Sequence, residues 1–410
     1  MAYAFALVLA FGLPWSGALF RIGLVGMVAC LFLSLSWIKY WRETVYSAPV
    51  AIAMALLTWI MVGAVYSIAP YELIAHDIRH YRKLLALIPF IMLCRTHERR
   101  IGVIYALLAG ASVLLAPTVL DALGIHQLFG FALASIANEH YQALDSDKAK
   151  NLVYWRNHIV HGYFVCILLA ACIAFSIHKN KYKFIYIFFA LICTFDLFFL
   201  IRGRAALLCG FFIFPLLVLK TLKSTKAKAM TIIALALILY ALTFIPHIHQ
   251  RINSIATETE SYTSTSQLVT SAGTRIHYWT LSKKMFMQHP ILGEGLGSFR
   301  NTLVIQKDPL VSSNHFHAHN EFITLSSQNG IIGFLLLLLF LAYLVKMTLK
   351  SHSKELGLFG FLFLFVFCFN ALTDSSLFNE LEGWTFVMLA AVIASERCFP
   401  TLPRASTVCA

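Results

Sequence analysis

Charged residues are scarce in this chain. Asp, Glu, Lys and Arg make up only 12% of its 410 residues, whereas about a quarter of the residues are charged in an ordinary soluble domain. Hydrophobic residues account for 59%. These proportions exclude an ordinary soluble domain and predict a protein that crosses a membrane several times.

The sequence also lacks the alternation of apolar and polar residues that a membrane β-barrel needs. Residues 334–345, FLLLLLFLAYLV, are apolar on every side, and in a membrane only a helix suits such a segment. About 17–25 apolar residues cross the hydrocarbon core, and the chain offers about twelve candidates, some of them short. We therefore predict an all-α polytopic membrane protein with about 12 transmembrane helices. The predicted spans lie near residues 3–20, 22–38, 48–67, 83–94, 101–121, 159–177, 184–200, 205–219, 230–246, 331–346, 356–372 and 384–396.

Paired cysteines are missing as well. The nine cysteines are scattered, many of them within apolar spans, and none forms a CxxC motif. Isolated cysteines of this kind indicate packing residues rather than metal ligands. The formal charge of +13 then suggests a lipid surface or an anionic substrate, because in a membrane protein nucleic acid is the less common partner of basic loops.

Short loops rich in Lys and Arg predict the orientation. The N-terminal segment lacks the features of a cleaved signal peptide and is predicted to be a retained first span. With the N-terminus inside, the alternate basic connections and the C-terminal tail all lie in the cytoplasm. The sequence then divides into residues 1–246 with helices 1–9, a large loop over 247–330 on the opposite side, and residues 331–410 with helices 10–12 and a cytoplasmic tail.

Several cations are predicted to lie on the same side as this loop. Arg202 and Arg204 occupy a turn between two apolar spans, and charge at such a position is costly and usually functional. Arg79 and Lys83 precede another span, and Arg156 precedes a third. All are candidates for binding an anionic substrate, although solvated loop faces and anchoring at the lipid interface are equally consistent with several of them.

Three histidines alternate in the segment NHFHAHN. A metal site formed by His315, His317 and His319 is one hypothesis, but no carboxylate or cysteine has matching spacing, and we favour a single His acting as a base. A helix predicted over 318–329 and stopped by Gly330 would place His319 in its first turn. The positive end of the helix would then keep the imidazole neutral. A capping or core histidine is the alternative.

Arg275 begins an amphipathic segment that His289 and Pro290 end. Its guanidinium is suited to bidentate contacts with phosphate oxygens. The nearby Gly293-Glu-Gly-Leu-Gly297 looks like a phosphate-binding loop, but it does not follow a strand in a βαβ unit, so we do not predict a nucleotide site.

Together these features resemble the O-antigen ligase superfamily. The resemblance is carried by GTR…W…HPILGEGLGSF in an outside loop, by the pattern His319-Asn320-x9-Gly330-x2-Gly333, and by the turn Gly203-Arg204-Ala205 between spans. By motif it covers about residues 200–335. Gly203 stands where the family more commonly has Ser, and with Arg202 nearby this leaves the choice between the two arginines of the turn open.

The resemblance implies a membrane glycosyltransferase in lipopolysaccharide biosynthesis. Such an enzyme transfers O-antigen polysaccharide from undecaprenyl diphosphate to lipid A–core oligosaccharide at the periplasmic face of the bacterial inner membrane, with inversion and without metal or other cofactor. His319 would be the base, while Arg204 and Arg275 would bind the diphosphate. The further substrate-binding candidates are Arg202, Lys83, Arg79, Arg156 and His317.

Other functions remain open at this point. An O-antigen polymerase and a protein O-oligosaccharyltransferase share the scaffold, although the latter usually carries a larger C-terminal soluble region. A transporter or flippase should show paired polar residues at mid-membrane and often a two-half repeat. Here the polar residues are concentrated in one outside loop.

Overall fold

Regular secondary structure is helical throughout the part of the chain that the structure describes. This computed structural model describes residues 1–123, 156–177, 181–201, 203–245, 249–250, 253, 257–260, 262, 270–310 and 315–399. In chain order the α-helices are α1 (Ala2–Gly12), α2 (Gly17–Leu33), α3 (Ser36–Val45), α4 (Ala48–Tyr66), α5 (Tyr71–Tyr81), α6 (Leu87–Leu93), α7 (His97–Ala122), α8 (His158–Ile177), α9 (Lys183–Phe195), α10 (Arg204–Thr221), α11 (Thr225–Leu242), α12 (Ser271–Gln288), α13 (Ser298–Ile305), α14 (Glu321–Leu349), α15 (Lys354–Thr373) and α16 (Glu380–Cys398).

Several of these helices are long and apolar enough to cross a membrane. Within the described residues there are 7 of them, or up to 8 when the bent pair Gly17–Leu33 and Trp37–Val45 counts as one span. The prediction of a helical, polytopic membrane protein is confirmed, whereas the number of about twelve spans stays a prediction. The seven are Ala48–Tyr66, His97–Leu120, His158–Ile177, Lys183–Leu200, Arg204–Thr221, Glu321–Leu349 and Lys354–Thr373.

Two predicted spans have a different form in the structure. The segment predicted as one span over 3–20 is divided, because α1 ends at Gly12 and α2 begins at Gly17. Pro14 lies between them, and proline cannot continue α1 because it has no backbone N–H to donate. The segment predicted over 83–94 forms a 3-10 helix over Arg82–Ala86 and then α6, a helix of 7 residues. At about 1.5 Å per residue, α6 is too short to cross a membrane by itself.

Helix α8 lies at the centre of the bundle. It is buried along most of its length and packs against α7, α9, α10 and α15. Its sequence is apolar on all sides, as expected for a helix surrounded by other helices. At Gly162 the neighbouring α10 comes so close that an added Cβ would lie 2.4 Å from the Cβ of Ala206. This close packing fixes the start of α10, where Arg204 lies.

The predicted loop 247–330 contains α12 and α13, and it docks onto the membrane helices through a glycine segment. Gly293, Gly295 and Gly297 all have positive φ, between 75° and 91°. Gly330, with φ 64°, interrupts α14. A side chain at Gly330 would collide with the main chain of Ile291, because an added Cβ would lie 2.0 Å from its carbonyl oxygen. Only glycine suits both the left-handed conformation and this contact.

Helices α12 and α13 form a small apolar core of their own. The buried side chains of Tyr278, Leu281 and Met285 from α12 pack with Phe299 and Leu303 from α13. These residues recur at helical spacing on one face of α12. The helix ends at Gln288, so the predicted stop at His289-Pro290 is confirmed. The histidine segment packs against the same core, because Ala318 is one of its buried residues.

Candidate active site

His319 and Asp374 form the centre of the candidate site. The Nδ1 atom of His319 lies 3.2 Å from Oδ1 of Asp374. An ionised carboxylate only accepts hydrogen bonds, so Nδ1 carries the proton and Nε2 is left with a free lone pair. His319 keeps 17% of its side chain exposed, whereas Asp374 is 8% exposed. A neutral, oriented imidazole with an available Nε2 is the form that a general base requires.

The backbone around His319 places its ring. His319 has φ 51°, in the left-handed region, which is uncommon for a residue other than glycine and costs energy. Asn320 caps α14, because its Oδ1 accepts the backbone N–H of Ile323 at 3.1 Å. The predicted helix start at Ala318 is therefore wrong: His319 precedes the cap and does not lie in the first turn. The contact with Asp374 orients its ring and fixes its tautomer.

Asp374 follows the last residue of α15. Burial opposes ionisation of this carboxyl, but the hydrogen bonds from His319 and from the backbone N–H of Ser375 hold its pKa well below the usual range. Ser375 donates this bond at 2.8 Å. Asp374 is thus an ionised acceptor that fixes the tautomer of His319.

The neighbouring histidines have different surroundings. The Nδ1 atom of His317 accepts the backbone N–H of His319 at 3.2 Å. Burial above all lowers the pKa of His317 to about 3, against the opposing charge of Asp374. His315 is hydrogen-bonded through Nδ1 to the hydroxyl of Tyr278 at 3.0 Å, and burial lowers its pKa to about 4. Both are neutral at physiological pH and engaged in structural contacts.

The site also has one feature of a metal centre. His317, His319 and Asp374 each present a ligand atom, and these atoms lie within 4.8 Å of one another. The sequence showed no carboxylate at matching spacing, and the structure supplies Asp374 from the segment that follows α15. However, Nδ1 of His317 already accepts a backbone N–H. The expectation that no metal is needed stays a prediction.

Arg275 lies on the far side of Asp374. Its Nε donates to the carbonyl of Thr373 at 3.2 Å, and its Nη1 donates to Oγ of Ser271 at 2.6 Å. The carbonyls at the end of a helix attract cations, which favours a guanidinium at the end of α15. Burial lowers the pKa of Arg275, the charge of Asp374 opposes this shift, and the nearby charge of Arg204 adds to it. An anion bound beside both arginines would relieve their repulsion.

Arg204 is the first residue of α10 and is held by Glu258. Its two terminal nitrogens donate to the two carboxylate oxygens at 2.9 and 3.1 Å, a bidentate arrangement. Glu258 also accepts the backbone N–H of Ala272, at the start of α12, at 3.1 Å. One carboxylate therefore joins the beginnings of α10 and α12. It offsets the unfavourable position of a cation at a helix N-terminus.

Both arginines line one cavity of about 1100 Å³. Trp279 and Thr373 also line it, and each leads to the histidine segment. Trp279 donates through Nε1 to the carbonyl of Ala318 at 3.0 Å, while Thr373 precedes Asp374. The cavity is large enough for a drug-sized ligand or larger. Trp279 and the end of α15 thus connect the two arginines of the cavity with the oriented imidazole of His319.

The remaining predicted site residues lie elsewhere. Lys83 is buried and donates to the carbonyls of Phe378 and Asn379, so that it supports the segment after Asp374. Arg79 is exposed on α5 and is not among the residues that line the cavity. Arg156 donates to the carbonyl of Pro14 at 3.4 Å, in the turn between α1 and α2. Arg202 lies outside the described residues, so its role in substrate binding stays a prediction.

The glycine segment is structural. The backbone N–H of Gly297 donates to Asp77 at 2.9 Å and to Gln328 at 2.8 Å, and that of Gly295 donates to the carbonyl of Gln328 at 2.8 Å. A phosphate-binding loop would direct such groups at a ligand. These amides are used within the protein, which agrees with our rejection of a nucleotide site from the sequence.

Sequence analysis missed Asp374 and Glu258. Asp374 belongs to the polar segment TDSS between the last two predicted spans, and the predicted topology already placed this segment on the same side as the histidines. An acid there was a signal that could have been used. Glu258 lies in a Ser/Thr-rich stretch with one other glutamate, Glu260, nearby, and nothing local distinguishes the two.

The fold and the site define a class: a multi-pass helical membrane protein with an oriented imidazole beside a cavity that carries two arginines. Residues 188–338 match the O-antigen ligase family. This region of the chain is therefore similar to that family. The match covers Arg204, Arg275 and His319 and ends within α14, before Asp374. It implies a membrane enzyme that transfers glycosyl groups. No curated protein matches the chain.

Proposed function

We propose that this protein transfers O-antigen polysaccharide from undecaprenyl diphosphate to the lipid A–core oligosaccharide. The observation that carries the proposal is the contact between His319 and Asp374 at 3.2 Å, next to a cavity lined by Arg204 and Arg275. A transfer from a lipid diphosphate needs a base for the acceptor hydroxyl and cations for the departing diphosphate. The site offers both. We propose further that it faces the periplasm, across the inner membrane from the cytoplasmic tail.

His319 would act on the acceptor. Its Nε2 takes the proton of the attacking sugar hydroxyl, while Asp374 holds Nδ1–H and stabilises the imidazolium that forms. The hydroxyl oxygen attacks the anomeric carbon from the face opposite the diphosphate, so the configuration inverts. General-base catalysis of this kind contributes about 10²–10⁴-fold.

Arg204 and Arg275 would act on the donor. As the bond between the anomeric carbon and the diphosphate oxygen breaks, its electron pair stays with the diphosphate. The charge that develops there is stabilised by guanidinium groups already held in place, Arg204 by Glu258 and Arg275 by Thr373 and Ser271. Because both guanidinium groups are already positioned by contacts within the protein, little reorganisation accompanies the step.

The test is a transfer assay with purified protein. Protein in detergent or nanodiscs is given lipid-linked O-antigen and lipid A–core, with no nucleotide sugar and no ion gradient. We expect glycan to appear on lipid A–core and its anomeric configuration to be inverted. Growth of the lipid-linked glycan instead would identify a polymerase. If no transfer occurs, gradient-dependent movement of lipid in proteoliposomes would identify a transporter.

The alternative of a metal-dependent reaction is tested in the same assay. Three candidate ligand atoms come together at His317, His319 and Asp374, so a chelator and a subsequent addition of divalent metal form the decisive pair. We expect neither to change the rate. If the chelator inhibits the reaction and added metal restores it, the site is a metal centre and the proposal of a general base is wrong.

A further inference from the structure

A second cavity lies at the opposite end of the bundle from His319. It has a volume of about 520 Å³. Its walls come from the end of α3 and the start of α4, from the last turns of α14, and from the end of α16. Its lining includes Glu43, Ser47, Lys346, Lys350, Arg397 and Cys398.

The lengths of two helices establish how far the cavity lies from the site, and α4 is one of the helices long and apolar enough to cross a membrane. Helix α4 has 19 residues; it begins at Ala48 beside the cavity, and the hydroxyl of Tyr66 at its other end donates to the carbonyl of Leu292. Helix α16 also has 19 residues; it starts a few residues after Asp374 and ends at Cys398. At about 1.5 Å per residue each covers about 28 Å, close to the thickness of the hydrocarbon core. The two sites therefore lie at opposite membrane surfaces.

The surroundings of the cavity are typical of a membrane surface. Helix α3 leads to the cavity and lies at 106° to the span before it. It carries Lys39 and Arg42 together with aromatic residues, and Trp41 remains 43% exposed. An amphipathic helix with Trp, Tyr and basic residues at this angle suits the headgroup layer.

The cavity is built for an anion. Lys346, Lys350 and Arg397 line it, against the single carboxylate of Glu43. All three cations are exposed, and within the described part of the chain none of them forms an ion pair. Their positions at the ends of α14 and α16 compensate the helix dipoles, but this effect does not require them to converge on a cavity.

The start of α4 contributes a second, independent feature. Ser47 is its N-cap, and the Ser47 side chain makes no capping bond to the helix. Its Oγ instead donates to the carbonyl of Thr44 at 2.6 Å. Pro49, at the start of α4, has no N–H, so the attraction of this helix end for a negatively charged ligand comes from the helix dipole and the remaining uncapped N–H groups. Three side-chain cations and this helix end therefore face the same space.

We propose that this cavity binds the phosphate headgroup of an anionic phospholipid from the membrane leaflet opposite the glycosyl-transfer site. Basic pockets between membrane helices are suited to such headgroups. The exposed apolar side chain of Leu349, next to Lys350, offers a surface for an acyl chain. The proposal does not depend on the reaction at His319, and the cavity is far enough away that its ligand and the lipid-linked donor do not compete.

Lipid retention by the purified full chain tests the proposal. Native mass spectrometry counts the phosphatidylglycerol and phosphatidylcholine molecules that stay bound after exchange into detergent, and a titration gives their relative affinities. We expect one phosphatidylglycerol to be retained in preference to phosphatidylcholine. In the triple variant Lys346→Gln, Lys350→Gln, Arg397→Gln the affinity should fall about 100-fold, because each cation near the surface contributes about tenfold or less.

A matched control removes the same charge elsewhere. Lys220, Lys223 and Lys226 are exposed around the connection between α10 and α11, and their replacement by Gln should leave retention unchanged. Two single variants cover the case in which the triple variant does not fold: Arg397→Gln should lower retention partly, and Lys350→Arg should not lower it. Equal retention of both lipids, equal losses in both triple variants, or competition by inorganic phosphate alone would each overturn the lipid site.

Discussion

His319 and Asp374 are separated by 55 positions in the chain, and their side chains meet at 3.2 Å. The contact joins the segment that precedes α14 to the end of α15. On its other side Asp374 follows Thr373, whose carbonyl accepts a bond from Arg275. Two adjacent residues thus hold the imidazole and an arginine of the cavity. The base and the anion-binding group therefore keep fixed positions relative to one another.

Replacement of His319 should lower the transfer rate far more than replacement of His315 or His317. We expect His319→Ala to lower the transfer rate by about 10²–10⁴-fold, because it removes the only proposed base. His315→Ala and His317→Ala should retain most of the rate, with some loss of stability, since their contacts are structural. Initial rates of the transfer assay measure this, on variants that elute as a single gel-filtration peak. A well-folded His319→Ala protein with a near-normal rate excludes the general-base role.

Asp374→Asn should lower kcat and leave KM for the donor nearly unchanged. Asparagine can present its amide oxygen or its NH₂ group to Nδ1, so the tautomer of His319 is no longer fixed and the imidazolium loses its counter-charge. We expect a loss on the order of 10²-fold in kcat. The pH–rate profile provides the second readout. Its acidic limb should move to lower pH only if Asp374 acts through His319.

In that comparison, Asp374→Glu is the conservative partner and should recover part of the rate. If the profile of Asp374→Asn keeps its shape and only protein yield declines, Asp374 has a purely structural role.

Lysine at Arg275 or Arg204 should cause partial loss. The charge remains, but the guanidinium fork is lost, and with it the bond to Thr373 or the bidentate pair with Glu258. We expect kcat/KM for the lipid-linked donor to fall about 10–100-fold. Arg79→Lys is the matched control and should have no effect, because Arg79 is exposed and away from the cavity. An unchanged donor dependence in Arg275→Lys would contradict diphosphate binding there.

Acid should lower the stability of the folded protein through protonation of His317. Its folded pKa of about 3 lies below the usual 6.5, so between these values the unfolded chain binds a proton that the folded protein does not. Its contribution is complete above about pH 6.5 and is lost as the pH falls toward 3. The melting temperature, followed from pH 7.5 to pH 4.5, should therefore decrease.

His317→Asn keeps an acceptor for the N–H of His319 but does not titrate. Its melting temperature should depend less steeply on pH, with a difference of about one proton in the slope. Identical slopes in the two proteins would show that His317 is protonated to the same extent in the folded and unfolded chain.

Single cysteines introduced at Lys307 and Ser224 test the orientation. Both residues are exposed; Lys307 lies in the predicted periplasmic loop, and Ser224 in a predicted cytoplasmic connection. In intact spheroplasts an impermeant thiol reagent should label Lys307→Cys and leave Ser224→Cys unlabelled, with the natural cysteines as background. The reverse pattern would contradict the proposed orientation, because it would place the site on the cytoplasmic side and the basic cavity on the periplasmic side.

The sequence by itself determined the class of the protein, because apolar runs without alternation can only form helices in a membrane. It also indicated the candidate base and cations, since His319, Arg204 and Arg275 lie in the region that matches the O-antigen ligase family. The stop of α12 at His289 and the interruption at Gly330 followed from local backbone rules.

Only the tertiary structure decided how these groups are oriented. Asp374 reaches His319, and Glu258 reaches Arg204 from 54 positions away, because helix packing brings distant segments together. No sequence periodicity encodes such a contact. The same holds for Lys83, which sequence placed at the substrate and the structure places against the carbonyls of Phe378 and Asn379. Burying an ammonium requires partners, and which partners it finds is determined by the packed fold.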